Sequence, residues 1–387
     1  IIDQYIFCEV LGKSGKEPHL VIKDDFKETY LGGAGAIANH LSTFCEKVNF
    51  LTCIGDQNNY LKLVKKKIKK NINTRLIIKK NSPTILKKRF IDTISRNKLL
   101  GVYSMNDQIV DNKTTKKIIA NIKKKFSNSD LLIISDYGHG LISDKLAKDL
   151  SKLKKFTALN AQVNASNYGY HSLNKYKKID SLIINETELR HEIRDKLTDV
   201  YTLSKTLKKK YNINTLIVTR GRNGAFLIGD KKNKIIECPA FSDKVVDKVG
   251  AGDTMLSVIS LCLKLKIPSE LSLLIGSLAG ANSVESIGNS SILDKKSLLR
   301  KMEFMQNLPR HTIWYCQYQD ERAKPTDLWT NDKSWIPRPV CKNGNKDCHH
   351  QPAPRGSRTG TQGLKGNYER SIVPQELCYE ILENKEV

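Results

Sequence analysis

Apolar positions along this chain follow two rhythms. Short apolar runs at residues 48–54, 131–135, 156–159, 181–184 and 215–219 have the length and side-chain types of strands. Lys-rich stretches with helical spacing separate several of them, at 114–126 and 143–153. Strand–helix alternation predicts a mostly parallel sheet covered on both faces. Residues 75–78 and 86–103 form another β-branched patch with few helix signals, which predicts a small lid sheet inserted after the first units. Strong periodicity ends near residue 306, apart from one amphipathic helix predicted at 374–382. All three Trp and seven of the eleven Pro lie beyond that point. Two segments are expected, 1–305 and a loop-rich tail 306–387, with the boundary between Met305 and His311.

Composition changes this picture little. The net charge of +25 first suggests a polyanion partner. Residues 1–305 carry 45 Lys but only 8 Arg, scattered over many segments, which reads as solvated helix faces. The tail has 12 basic and 10 acidic residues. No apolar run approaches the ~18 residues of a membrane span. The longest, near 255–263 and 271–280, are broken by Lys264, Lys266, Ser272 and Gly276. No signal-peptide pattern is read, and the nine Cys form no even framework, so a reducing cytoplasm is expected. The start at Ile1-Ile2-Asp3, without Met, reads as a fragment or a trimmed chain with a truncated first strand.

The sharpest chemical signal is Asp247-Lys248-Val249-Gly250-Ala251-Gly252-Asp253-Thr254, just before the apolar helical stretch 255–265. Glycines at a helix start let backbone amides face an anion, and the helix dipole adds positive potential. An Asp in the first turn suits a general base beside a bound phosphate. A glycine turn with Asp as a helix cap is the alternative.

This segment resembles the signature of the PfkB/ribokinase family of carbohydrate kinases. Further stretches follow in that family's order. Leu31-Gly32-Gly33-Ala34-Gly35-Ala36 is similar to its sugar-binding glycine pair, and Ile54-Gly55-Asp56 to the end of its next strand. Ser135-Asp136-Tyr137-Gly138-His139-Gly140 is similar to a stretch of the heptose-phosphate kinase branch. Asn185-Glu186-Thr187-Glu188 resembles the Asn-x-x-Glu element, and Thr219-Arg220-Gly221-Arg222-Asn223-Gly224 the nucleotide loop. Asp3 and Tyr5 resemble an Asp-x-Tyr at the end of the family's first strand.

The resemblance implies a ribokinase-like three-layer α/β/α sandwich with a small β-sheet lid. It implies transfer of the γ-phosphate of ATP, with Mg²⁺, to a hydroxyl of a sugar or sugar phosphate. Asp253 would be the base, with Gly250, Ala251 and Gly252 as the anion hole. Asp3, Gly32, Gly33, Asn39 and Asp136 would face the sugar. Asn185 and Glu188 would support Mg²⁺. Thr219, Gly221, Gly224 and Asn282 would hold ATP. Asp247 would help bind a monovalent cation, as in some relatives, and a homodimer would form through the lid.

Departures from the pattern fall on the substrate side. Ala36 stands where an Asn is expected, with Asn39 one turn on. His139 replaces a Lys, and Asn160-Ala161-Gln162 replaces Asp-Pro-Lys. Gly33-Ala34-Gly35-Ala36-Ile37-Ala38 also mimics a dinucleotide fingerprint, but the polar run 26–30 before it does not read as a buried strand. No G-x-x-x-x-G-K-[ST] loop occurs.

The tail holds Cys316, Cys341, Cys348, His349 and His350. Their spacing is not that of a standard finger, and adjacent His rarely both bind one ion, so zinc is not expected there. Lys324–Asn331, Cys341–Arg358 and Tyr368–Pro374 resemble the C-terminal segment of phage-type DNA methyltransferases. The chain has no Pro-Cys and no Asp/Asn-Pro-Pro-Tyr/Phe, so the tail is expected not to methylate and to be a passenger. Any nucleic-acid contact would run through the tail alone. A DNA-binding protein and an inactive nucleotide-binding kinase homologue are the competing readings.

Overall fold

Side chains on the central strands alternate between two apolar layers, and that alternation builds the fold. In β9 (Ile179–Asn185), Leu182 and Ile184 enter one core and Ile183 the other. In β10 (Ile213–Thr219), Leu216 and Val218 enter the first core and Ile217 the second. A strand apolar on both sides must be covered on both faces. The first face is covered by α3 (Asn112–Lys125), α4 (Asp144–Ser151), α5 (Glu186–Ile193) and α6 (Val200–Lys210). The second is covered by α1 (Ala34–Leu41), α7 (Ala251–Lys264) and α8 (Ser269–Val284). Asp111, Ser143 and Asp199 start α3, α4 and α6 by accepting first-turn amides.

This computed structural model describes all residues except 59, 171, 230–233, 243, 303–308, 331–334, 343, 352–371 and 384–387. The chain divides into two compact units, Ile1–Leu298 and Leu299–Val387. The expected boundary residue Met305 lies outside the described residues, as do Asn331 and residues 352–358 and 368–371 of the tail motifs.

In the first unit the main sheet has the order β12-β11-β10-β9-β8-β7. β7 (Leu131–Asp136), β8 (Phe156–Ala161), β9 and β10 run parallel. β11 (Ala225–Ile228) and β12 (Ile235–Cys238) finish it antiparallel. β3 (Val48–Gly55) and β4 (Ile72–Lys79), joined through α2 (Leu61–Lys67), form a separate parallel pair. A cavity of about 1140 Å³ lies between β3 and β7, lined by Ile54, Phe126, Ile134, Val258 and other largely apolar side chains.

The lid differs from the expected one. It is a four-stranded sheet, β2-β1-β5-β6, of β1 (Ile2–Lys13), β2 (Leu20–Leu31), β5 (Leu86–Asp92) and β6 (Lys98–Ser104). Residues 75–78 lie in β4 and pair with β3 instead. The polar run 26–30 is a strand after all. β2 is an edge of the lid, pairs with β1 and is mostly solvent-exposed, so its polar composition fits. Because β2 is antiparallel in a lid, the glycines after it are not a dinucleotide-binding turn.

The second unit has its own small core. β13 (Arg310–Trp314) and β14 (Pro325–Trp329) form a hairpin. Ile313, Tyr315, Tyr318, Trp335 and Leu377 pack together, the last from the C-terminal helix Gln375–Glu383. Arg338 ties that helix down through Glu376 and Glu380. Among the described residues, no helix is long and apolar enough to cross a membrane.

Candidate active site

Asp253 sits in the first turn of α7, which starts at Gly250. Its Oδ1 accepts a hydrogen bond from the Tyr137 hydroxyl at 2.6 Å. Burial pushes its carboxyl up to about 6, against the pull of the Tyr137 hydrogen bond, and the Asp3 charge adds to the rise. Gly252 is exposed, and a Cβ there would meet nothing. The helix therefore opens on free space beside a carboxyl held near neutrality.

The glycine pair explains itself sterically. A Cβ at Gly32 would collide with the Asp3 carboxylate. A Cβ at Gly33, where φ is +54°, would lie 2.7 Å from the Tyr137 ring. The pair thus lets Asp3 and Tyr137 reach the Asp253 side of the crevice. Asp3 is buried and pairs with Arg89 at 2.6 Å.

Lys87 stands directly across from Asp3 in the parallel β1–β5 register. It is 6% exposed and lies 5.6 Å from the centre of the Tyr137 ring. Burial lowers the Lys87 ammonium, and the Asp3 charge partly restores it. Among the described residues Lys87 makes no ion pair, and its ammonium lies over the rings of Tyr103 and Tyr137. Reasoning from the sequence missed Tyr137, Lys87 and Arg89. The available signal was the alternation of Lys87 and Arg89 on one face of a strand.

Two expected sugar-facing residues are committed elsewhere. Asn39 donates to the Lys67 carbonyl and accepts from the Lys69 amide, both at 3.1 Å, and so fastens the end of α2. Asp136 is 3% exposed. It accepts from Tyr176 at 2.6 Å, from the Gly138 amide at 3.0 Å and pairs with Lys175. It fixes the turn that presents Tyr137 rather than opening to the crevice. His139 on that turn is buried, with neither ring nitrogen bonded. Burial, then the Lys87 charge, lowers it to about 4, so it is neutral where the resemblance expects a Lys.

The side where the resemblance expects the nucleotide is built largely from strand ends and turns. Thr219 and Asn185 are neighbours in the β9–β10 register, at the carboxyl ends of both strands. Asn185 caps α5 by accepting from the Glu188 amide at 2.8 Å, and Glu188 accepts from the Asn185 amide at 3.0 Å. Glu188 also accepts from the Val163 amide. Burial raises its carboxyl to about 7, and the charged group acting on it, Asp253, pushes the same way. A cation near these two acids would hold both ionised, which fits a divalent ion seen through its water shell. Gly221 and Gly224 both have positive φ, and a Cβ at Gly224 would collide with the Cys238 carbonyl. Asn282 is half-buried on α8.

Asp247 departs from expectation as a metal ligand. Its carboxylate accepts from Tyr5, Lys98, Gly288 and Val249. Burial raises its carboxyl, but Lys98 and the Val249 amide hold it below its usual value. The Lys98 ammonium already supplies the positive charge a cation would bring.

The pattern of the pfkB family carbohydrate kinases matches residues 1–296. The bifunctional protein HldE of Aliarcobacter butzleri is 29% identical over 269 residues, which cover 68% of this chain and 54% of that protein. That of Campylobacter fetus is 26% identical over 298 residues, 75% of this chain and 62% of its own. The chain thus spans between half and two thirds of these curated relatives. Phosphofructokinase-2 from Escherichia coli, solved in complex with potassium, superposes with a TM-score of 0.63 at 16% identity, over 79% of this chain and 96% of that one. Arabidopsis thaliana ribokinase, complexed with ribose and ATP, gives 0.58 at 20% identity, over 78% and 96%. Such likeness establishes a ribokinase-like α/β/α sandwich.

Proposed function

Since the chain belongs to the pfkB family of carbohydrate kinases, we propose that it moves the γ-phosphoryl group of ATP to a hydroxyl of a sugar phosphate. A heptose phosphate is the nearest substrate class. The environment of Asp253 carries this reading: a raised carboxyl at a helix start, bonded to Tyr137, between the Asp3–Lys87 side and the Asn185–Glu188 side. Lys87 supports a phosphorylated acceptor, because a buried ammonium without an ion pair gains most from an anion. The Ser135-Asp136-Tyr137 stretch and the HldE relatives support the heptose branch.

In this reading Tyr137 holds Oδ1 of Asp253, and Oδ2 receives the hydroxyl proton as the acceptor oxygen attacks. The amides of Gly250, Ala251 and Gly252, with the α7 dipole behind them, stabilise charge on the transferring group. Thr219, Gly221 and Gly224 line the nucleotide, with Asn282 near its base. Mg²⁺ would be held through Asn185 and Glu188 and would neutralise phosphate charge. Asp3 and the glycine pair face the sugar, and Arg89 fixes Asp3. We assign Asn39 and Asp136 positioning roles. Assembly as a dimer through the lid fits Leu11, Leu20, Leu100 and Val102, which the lid exposes.

The test is phosphoryl transfer against hexoses, pentoses and heptose phosphates. Asp253→Asn should lower kcat ~10²-fold or more with ATP binding largely kept. Unchanged turnover in that variant would refute the assignment.

A further inference from the structure

Four sulfur and nitrogen ligands gather in the second unit from residues distant in sequence. Cys316 lies in the tight turn Tyr315–Tyr318 that follows β13. Cys341, Cys348 and His350 come from one loop that turns at Gly344, where φ is +81°. One donor atom from each of these four residues lies within 4.8 Å of the others. Cys341 Sγ and His350 Nδ1 are 3.8 Å apart. With metal–sulfur bonds of about 2.3 Å and metal–nitrogen bonds of about 2.0–2.1 Å, ligands at tetrahedral corners sit roughly 3.5–3.8 Å apart. The cluster therefore needs to contract by no more than about an ångström at its widest.

The adjacent-histidine objection dissolves in the fold. His350 is buried and turns inward, while His349 is exposed. One imidazole serves and the other stays in water. Cys316 and Cys341 are also buried, beside Ala323 and Trp314. Amide donors already point at the sulfurs: Gln317 at Cys348 (3.8 Å) and Asn345 at Cys341 (3.8 Å). Such donors favour thiolate over thiol and form the outer shell that metal–thiolate sites use.

We propose that Cys316, Cys341, Cys348 and His350 bind one zinc ion in a closed tetrahedral Cys₃His site that fastens the second unit. Three thiolates and one imidazole are a soft set that selects zinc over hard cations. Four protein ligands leave no open position, so the site is structural and carries no chemistry. On binding, the three thiol protons leave to solvent. Coordination through His350 Nδ1 places its proton on Nε2, so the 3.2 Å contact from the Gly344 amide to that nitrogen opens. A small core of five buried side chains gains most from such a staple.

The experiment uses the full chain, purified reduced and without chelator. Zinc by plasma mass spectrometry should come out near one equivalent, and cobalt exchange should give the intense bands of tetrahedral cobalt thiolate. Cys316→Ser and Cys341→Ser should each lose at least about nine tenths of the metal, whereas His349→Ala should keep it. His350→Cys guards against mere unfolding: it should keep the metal and shift the cobalt bands toward those of four thiolates. A reduced chain that neither retains zinc nor gives tetrahedral cobalt bands would overturn the site. So would zinc that persists in Cys341→Ser, or cobalt bands that stay unmoved in His350→Cys.

Discussion

The two sides of the crevice are built differently. The proposed nucleotide side is made largely of backbone: strand ends at Asn185 and Thr219, a capping box at Glu188, glycines at 221 and 224, and the start of α7. The proposed sugar side is made of side chains that the lid carries in from afar, with Asp3 on β1 and Lys87 and Arg89 on β5. Backbone sites depend on a few local residues. Side-chain sites depend on a pairing between strands some eighty residues apart.

Breaking each side separately sharpens that contrast. Of changes confined to one side, the largest effect should come from Lys87→Met, expected to lower kcat/KM for a phosphorylated sugar ~10²-fold with ATP affinity intact, because the lost partner is a buried charge. Steady-state kinetics with each substrate varied checks it, and a matching loss in ATP affinity would merge the two sides into one. Gly224→Ala should act on the other side. Its Cβ meets the Cys238 carbonyl, so ATP should bind ~10-fold more weakly and stability should drop by about 1–3 kcal/mol. Calorimetric titration and thermal unfolding read both.

The pH profile probes the junction. If Asp253 is the base it works ionised, so kcat/KM should fall as pH drops through about 6. Tyr137→Phe removes a hydrogen bond that favours the charged form, so the acid limb should move to higher pH. The smallest kinetic effect belongs to Asn39→Ala. It should lower the melting temperature through two lost buried hydrogen bonds, about 1–3 kcal/mol, with KM values changed less than about twofold.

The same contrast sets what the sequence makes legible. Gly250–Asp253, Asn185–Glu188 and Thr219–Gly224 each announce themselves within a few residues, because glycine, cap and turn chemistry act locally. Lys87 does not. Among 45 Lys before residue 306 it looks like another solvated charge, and only the β1–β5 register sets it opposite Asp3. Asn39 turns to the end of α2 for a related reason: a helical turn brings a residue near a motif but does not fix which way it points. Asp247 fits a cation-site pattern, yet Lys98, from a lid strand distant in sequence, pairs with it. β2 looks polar because one sheet edge faces water, where the alternation of a strand is least visible.

The gap between β3 and β7 gives the first unit an unusual relation to pressure. Volume is the quantity that compression acts on, and about 1140 Å³ here is space that the folded chain does not fill. Where the gap is closed to water, unfolding eliminates its volume, so pressure favours the unfolded chain more than it would in a sandwich packed without such a gap. Compression would drive β3 toward β7 or push water deeper between them. The candidate crevice shares that wall, because Ser135, Asp136 and Tyr137 also line the gap.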